Sequence, residues 1–194
     1  MKMRKKELIV GGINTVANQS FFELDEREVE QNSNTKRGAL YENFSSKKEF
    51  VNECFFYIIS ELLKSNSQHL KIEGHEVCIK EKSRNIWFNT IAWWLGNPNM
   101  FEFYVKYVSS KYYSENEALN SESRQPYFSL GQQAIDLGVV KSLPIEFIHE
   151  LIVAQMLNTL NFLKKNPKLS ADTEFLDLSF EALWDSLSAN KMKN

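Results

Sequence analysis

Phe50, Val51, Cys54, Phe55, Ile58, Ile59, Leu62 and Leu63 come as adjacent pairs that repeat every four positions, the spacing that lines one face of an α-helix. Directly before them, Ser46-Lys47-Lys48-Glu49 carries the S-x-x-E pattern, in which a hydroxyl and a carboxylate satisfy the free N–H groups of a first helical turn. A long amphipathic helix therefore starts near residue 47, and its apolar stripe needs other apolar faces to cover it. Helices must supply them, because 7 Gly and 4 Pro in 194 residues are too little punctuation for a many-stranded sheet. A hydrophobic content of 43% is enough for a core. The expected fold class is all-α, with about nine helices.

Residues 5–17 place Leu8, Ile9, Gly12, Ile13 and Val16 on one helical face. Gly11-Gly12 lowers helix propensity there, which is expected where a second helix passes close by. Asp25 followed by Glu28 predicts a capped short helix from about Glu26 to Asn32, and Ser33-Asn34-Thr35 a turn. A third short segment, Lys36–Asn43, turns Ala39, Leu40 and Phe44 inward and leaves Lys36, Arg37 and Tyr41 outward. Further helices are expected at about 77–95, 99–110, 126–138, 144–165 and 173–188. The polar stretch 64–76 is expected as a loop or a frayed helix end, and 114–125 as a loop with a helix start.

Three short helices with a tight polar turn before the third, then a long helix, form a helix-turn-helix layout. The third segment is the piece that enters a major groove, with its first residues at base edges and its flanks on phosphate. Thr35, Lys36 and Arg37 sit at its start, Tyr41 offers a hydroxyl, and Lys47 lies at the N-terminus of the fourth helix, where a phosphate is favoured. The plainer reading of Lys36 and Arg37 is a solvated basic face, and of Tyr41 packing within a small domain. Residues 1–48 hold nine Lys and Arg against seven Asp and Glu, whereas the whole chain has net charge −2. The cluster Lys2–Lys6 reads as a solvated tail before it reads as a minor-groove arm.

The stretch Arg37-Gly38-Ala39-Leu40-Tyr41-Glu42-Asn43-Phe44-Ser45-Ser46-Lys47-Lys48-Glu49-Phe50 resembles the signature of the TetR (tetracycline repressor)/AcrR-type regulator family, G-x-L-Y-x-x-F-x-S-K-x-x-(L/F). Asn97-Pro98…Phe101 is similar to the start of that family's sixth helix, and Phe180–Leu187 to its last. The resemblance implies a DNA-binding head over residues 1–48 and a ligand-binding, dimer-forming body over 49–194. It places Lys36, Arg37 and Tyr41 on DNA and Lys47 on phosphate. It also implies that the last two helices form a four-helix bundle with a second copy, with Ile148, Ile152, Phe180 and Trp184 at the interface; Trp184 reads as packing either that bundle or the core. Two departures stand out: the turn, commonly A-G-V-S, is Ser33-Asn34-Thr35-Lys36, and the second helix holds Glu26, Glu28 and Glu30.

Aromatic residues are dense after residue 86. About half belong to the core by default, yet Tyr and Trp bring polar handles suited to a pocket for a flat or hydrophobic molecule. Trp87, Trp94, Phe103, Tyr104, Tyr107, Tyr127 and Phe128 are the candidates for it. No cofactor is expected beyond an unidentified small-molecule effector. No G-x-S-x-G, P-loop or dinucleotide fingerprint is present, so an enzyme is not expected. Cys54 and Cys78 lack metal or redox spacing and read as thiols in a reducing cytosol; His69, His75 and His149 share no helical ligand spacing. His149, among Phe147, Ile148 and Leu151, reads as a surface or interface residue before it reads as one that reaches into a pocket. Without a membrane-length apolar run or a signal peptide, a cytoplasmic protein is expected. The expected activity is a ligand-responsive regulator, a repressor by default, that binds a palindromic operator as a homodimer. The competing reading keeps the fold but loses DNA affinity, leaving a small-molecule or protein-binding module.

Overall fold

The computed structural model describes residues 3–70, 79–114 and 117–189, with backbone alone for 3 and 117–123. Ten α-helices run through them: α1 Met3–Asn18, α2 Glu26–Asn32, α3 Ala39–Asn43, α4 Lys47–Leu70, α5 Ile79–Gly96, α6 Pro98–Val108, α7 Lys111–Ser114, α8 Glu117–Asp136, α9 Ile145–Lys165 and α10 Thr173–Leu187. Among the described residues extended pairing is limited to one antiparallel bridge, Val140 with Ser188. The protein is all-α as expected, and the helix beyond the expected nine is the four-residue α7. Among the described residues no helix is long and apolar enough to cross a membrane.

By packing, the chain divides into two compact units, Met1–Lys64 with Trp94–Ser123 and Ser65–Trp93 with Arg124–Asn194.

In the first unit, Leu8, Ile9, Ile13 and Val16 of α1 are buried together with Val29, Leu40, Phe44, Phe50 and Val51. The two helical glycines permit this. A Cβ on Gly11 would stand 2.0 Å from Ser33 Oγ, and one on Gly12 would stand 2.2 Å from the Phe50 ring. The last carbonyls of α1, which a helix end leaves without partners, are met by Lys106 of α6. Its ammonium donates to the carbonyls of Val16 and Ala17 at 2.8 Å and of Gln19 at 3.1 Å. Asn99, also on α6, donates to Asn14 Oδ1 at 2.9 Å. The start of α4 is capped largely as the S-x-x-E pattern predicts: Ser46 Oγ accepts the Glu49 N–H at 3.1 Å. The Glu49 carboxylate reaches one residue further, accepting from the Ser45 N–H and hydroxyl at 2.6 Å.

Of the stretch 64–76, expected as a loop or a frayed helix end, residues 64–70 continue α4; 71–76 lie outside the described residues. The polar run stays helical because fully buried Asn66 is bonded on both sides. Its amide donates to Thr90 Oγ1 at 3.0 Å and to the Tyr127 hydroxyl at 3.2 Å, and its oxygen accepts from Asn89 at 2.9 Å. In 114–125, expected as a loop with a helix start, the helix α8 starts at Glu117 and runs through Pro126. Within the second unit, α5 binds α10 through Lys80–Glu181 at 2.6 Å, the Arg84–Asp177 pair, and Trp87 Nε1 donating to Ser179 Oγ at 3.1 Å. Ile148, Met156, Leu160 and Leu163 of α9 are buried, as are Leu176, Phe180, Leu183 and Leu187 of α10.

Candidate nucleic-acid interface

The candidate interface is built on α2, the turn after it, and α3. Asp25 has the extended backbone of an N-cap, and its carboxylate accepts the Arg27 N–H at 2.8 Å. The seven residues of α2 end at Ser33, whose hydroxyl donates back to the Val29 carbonyl at 2.5 Å. The chain then reverses at Asn34, with φ of +51°. Asn is the side chain that best tolerates this left-handed conformation after Gly. Asn34 thus does the work of the Gly in the A-G-V-S turn. Thr35 closes the turn, its N–H and hydroxyl donating to the Glu30 carbonyl at 2.9 and 3.2 Å.

The third segment was expected to be helical from Lys36, but helix begins only at Ala39. Gly38 precedes it with φ of +84° and no side-chain cap. The cap comes from α2 instead: buried Glu30 accepts the Leu40 N–H at 3.0 Å. A five-residue helix cannot stand alone, and α3 is held from below by this bond and by burial of Ala39, Leu40 and Phe44.

Above that buried floor lie the candidate contact groups. Lys36, Arg37 and Tyr41 are exposed, Thr35 and Lys47 half-buried. Lys36 Nζ pairs with Glu42 Oε1 at 2.7 Å. The Tyr41 hydroxyl donates to Glu26 Oε1 at 2.7 Å; that bond, then burial and the carboxylate's charge, push its pKa up. Lys47 spends one of its donors on the Leu24 carbonyl at 3.0 Å. Arg37, among the described residues, has no ion pair. The three glutamates of α2 divide by role: Glu30 is a buried cap, Glu28 accepts from Gln19 at 3.0 Å, and Glu26 holds Tyr41.

The aromatic candidates fall into two groups. Trp94, Phe103, Tyr104 and Tyr107 belong to the first unit, where Trp94 lies 5.1 Å from Tyr104 and Tyr107 stacks on Phe55 at 4.2 Å between ring centroids. Tyr107 is fully buried, its hydroxyl donating to Asn52 Oδ1 at 3.0 Å. Trp87, Tyr127 and Phe128 belong to the second unit. Trp87 is core, and burial pushes the Tyr127 phenol up to about 12, against a small lowering by Asn66. Phe128 sits edge-on to His149 at 5.4 Å. His149 is half-buried, and burial, with help from Arg124, pushes its pKa down to about 4, which keeps the ring neutral.

Of the expected interface residues, Ile148, Phe180 and Trp184 are already buried within one copy and Ile152 is half-buried. The first three therefore have little apolar area to offer a partner. The large apolar side chains that α9 and α10 leave exposed are Phe147, Phe162 and Leu178. Elsewhere, α1 and α4 border an open cleft of about 410 Å³ lined by Lys6, Glu53, Phe56, Tyr57, Glu61 and Lys64. Its two lysines and two glutamates give no net preference for an anion or a cation.

No family profile matches the sequence. In fold, the chain is similar to a TetR-family transcription regulator from Marinobacter aquaeolei VT8, with TM-score 0.83, 14% identity and coverage of 96% of both chains. It is also similar to a TetR-family transcriptional regulator from Haemophilus influenzae, with TM-score 0.77, 16% identity and coverage of 95% of this chain and 96% of that one. A third likeness is to the transcriptional regulator FadR from Bacillus subtilis, solved with stearoyl-CoA, with TM-score 0.71, 12% identity and coverage of 92% and 96%. At these identities the likeness establishes the fold: the chain has the architecture of TetR-family transcription regulators over nearly its whole length.

Proposed function

We propose that this chain, on the TetR-regulator fold, is a sequence-specific DNA-binding regulator that acts as a homodimer on a palindromic operator and responds to a small apolar effector. The observation that carries the reading is the α2–turn–α3 arrangement, in which exposed Lys36, Arg37 and Tyr41 ride on buried Ala39, Leu40 and Phe44. Arg37, with its guanidinium open, is the residue best placed to read a guanine edge; Lys36 and Tyr41 serve the backbone. Exposed Phe147, Phe162 and Leu178 of α9 and α10 support a second copy on that face. For the effector, the support is the aromatic content of the body and the stearoyl-CoA found with the Bacillus FadR regulator. Repression follows from operator occupancy, relieved when the effector prefers a conformation whose heads no longer match two half-sites.

The test is selection of the purified protein on random duplex DNA at two salt concentrations. A recovered palindrome with half-sites about one helical turn apart, bound more weakly as salt rises, supports the reading. A folded protein that enriches no sequence defeats it. A specific observation favours the alternative of a TetR-fold module with weak DNA binding: Lys36, Tyr41 and Lys47 all spend polar groups within the chain. In that case selection fails and ligand binding to the body remains.

A further inference from the structure

Glu26 and Glu42 stand where they occupy the groups that would grip DNA. Lys36 Nζ lies 2.7 Å from Glu42 Oε1, and the Tyr41 hydroxyl donates to Glu26 Oε1 at 2.7 Å. Each carboxylate therefore presents to its partner what a phosphate would, an anionic oxygen at hydrogen-bond distance. The other acidic groups of α2 do not: Glu30 is a buried cap on Leu40, and Glu28 faces Gln19. Arg37 has no such partner among the described residues, so the base-reading cation is free while two backbone-gripping groups are held. Resting on the DNA-binding reading above, we infer that Glu26 and Glu42 make autoinhibitory contacts: internal phosphate mimics that must be displaced before Tyr41 and Lys36 can grip any duplex.

The physical consequence is a general loss of affinity. Phosphate contacts form on cognate and arbitrary duplex alike, so an internal anion that competes for them weakens both by the same factor and leaves their ratio unchanged. Both pairs are solvent-exposed, with Lys36 and Glu42 side chains 63% and 51% accessible, so each latch is weak. Exchanging it for a phosphate changes affinity by about threefold, not by orders of magnitude. Two such latches multiply to about tenfold on any duplex.

Fluorescence anisotropy of full-length protein on a mixed-sequence 30-base-pair duplex and on the selected palindrome tests this. Glu26→Gln and Glu42→Gln should each tighten binding about threefold and together about tenfold, on the mixed-sequence duplex and on the palindrome alike. Glu28→Gln removes the same charge from the same helix without freeing a gripping group, and should change mixed-sequence binding less than twofold. The gains must vanish pairwise: Glu42→Gln has no effect in a Lys36→Ala background, and Glu26→Gln none in a Tyr41→Phe background. Equal gains from all three Glu→Gln changes, or gains that persist in those backgrounds, overturn the latch and leave only bulk charge. Wild type that binds the palindrome, with variants unchanged on mixed DNA, sinks the inference and spares the proposed function. Wild type and variants that bind no duplex even at low salt defeat both.

Discussion

Gly12 lets the Phe50 ring pass so close to α1 that an added Cβ would meet Cζ at 2.2 Å and Cε1 at 2.8 Å. That ring is 1% exposed and enclosed by Phe44, 5.0 Å away, so it has nowhere to move. Gly12→Ala should therefore lower stability by about 1–3 kcal/mol, even though Ala is the better helix former by nearly 1 kcal/mol. Urea denaturation followed by circular dichroism measures it; a stabilised variant would mean that the α1–α4 approach is looser than described. His149 makes a second residue-scale prediction. With its folded pKa pushed down to about 4 by burial, beside Phe128 and Arg124, it stays neutral while an unfolded histidine takes up a proton near 6.5. Between those values the unfolded chain binds more protons, so stability falls as pH drops from about 6.5 to about 4, by an amount on the order of 2–3 kcal/mol. Denaturation of wild type at pH 7 and pH 5 should show this loss, and His149→Phe should remove much of it.

At the scale of elements, what could be read from the sequence depended on whether a helix is specified by its own stripe or by its neighbours. The apolar pairs from Phe50 to Leu63 and the Asp25 cap mark α4's body and α2 without outside help, and the structure agrees at α2 to the residue. The continuation of α4 past Lys64 is specified elsewhere. Asn66 looks like a loop residue until Thr90, Asn89 and Tyr127 arrive to satisfy it, and no local pattern announces partners that lie 23, 24 and 61 residues away. The same holds for Glu30, which reads as one more surface acid and is in fact the cap of α3. A clue was available there: Gly38 offers no side chain to cap the helix it precedes. The contact residues themselves were legible as types and positions, but not the carboxylates that hold two of them. Lys106 belongs to this class of distant specification. Lys106→Met keeps the stem and removes the ammonium that three carbonyls at the end of α1 accept from. It should cost about 1–2 kcal/mol and speed hydrogen exchange at residues 16–20, with the first turn of α1 unaffected.

For the whole molecule, the residues expected at an interface and the large apolar residues left exposed lie on the same two helices. Phe180 and Trp184 stack on each other within one copy at 5.9 Å and are consumed by its own core. Phe162 and Leu178 are 45% and 63% exposed, so replacing them leaves that core intact. Phe162→Glu with Leu178→Glu should give a folded monomer in sedimentation velocity and weaken binding to a palindrome far more than to a single half-site. A dimer that persists in the double variant would place the interface on another face.

One buried atom gives the chain a clock of its own. The Cys54 thiol is 0% exposed, donates weakly to the Ile9 carbonyl at 3.7 Å, and has its pKa raised by burial, so the folded protein presents no thiolate there. An alkylating reagent can modify it only in the intervals when α1 lifts away from α4, and under slow labelling the rate counts those intervals. Any duplex that binds the closed head and not the opened one must slow the count by the factor 1 + [DNA]/Kd. Mass spectrometry of the Cys54 peptide would then rank candidate operators with no dye and no engineered residue, because the protein's own breathing supplies the signal.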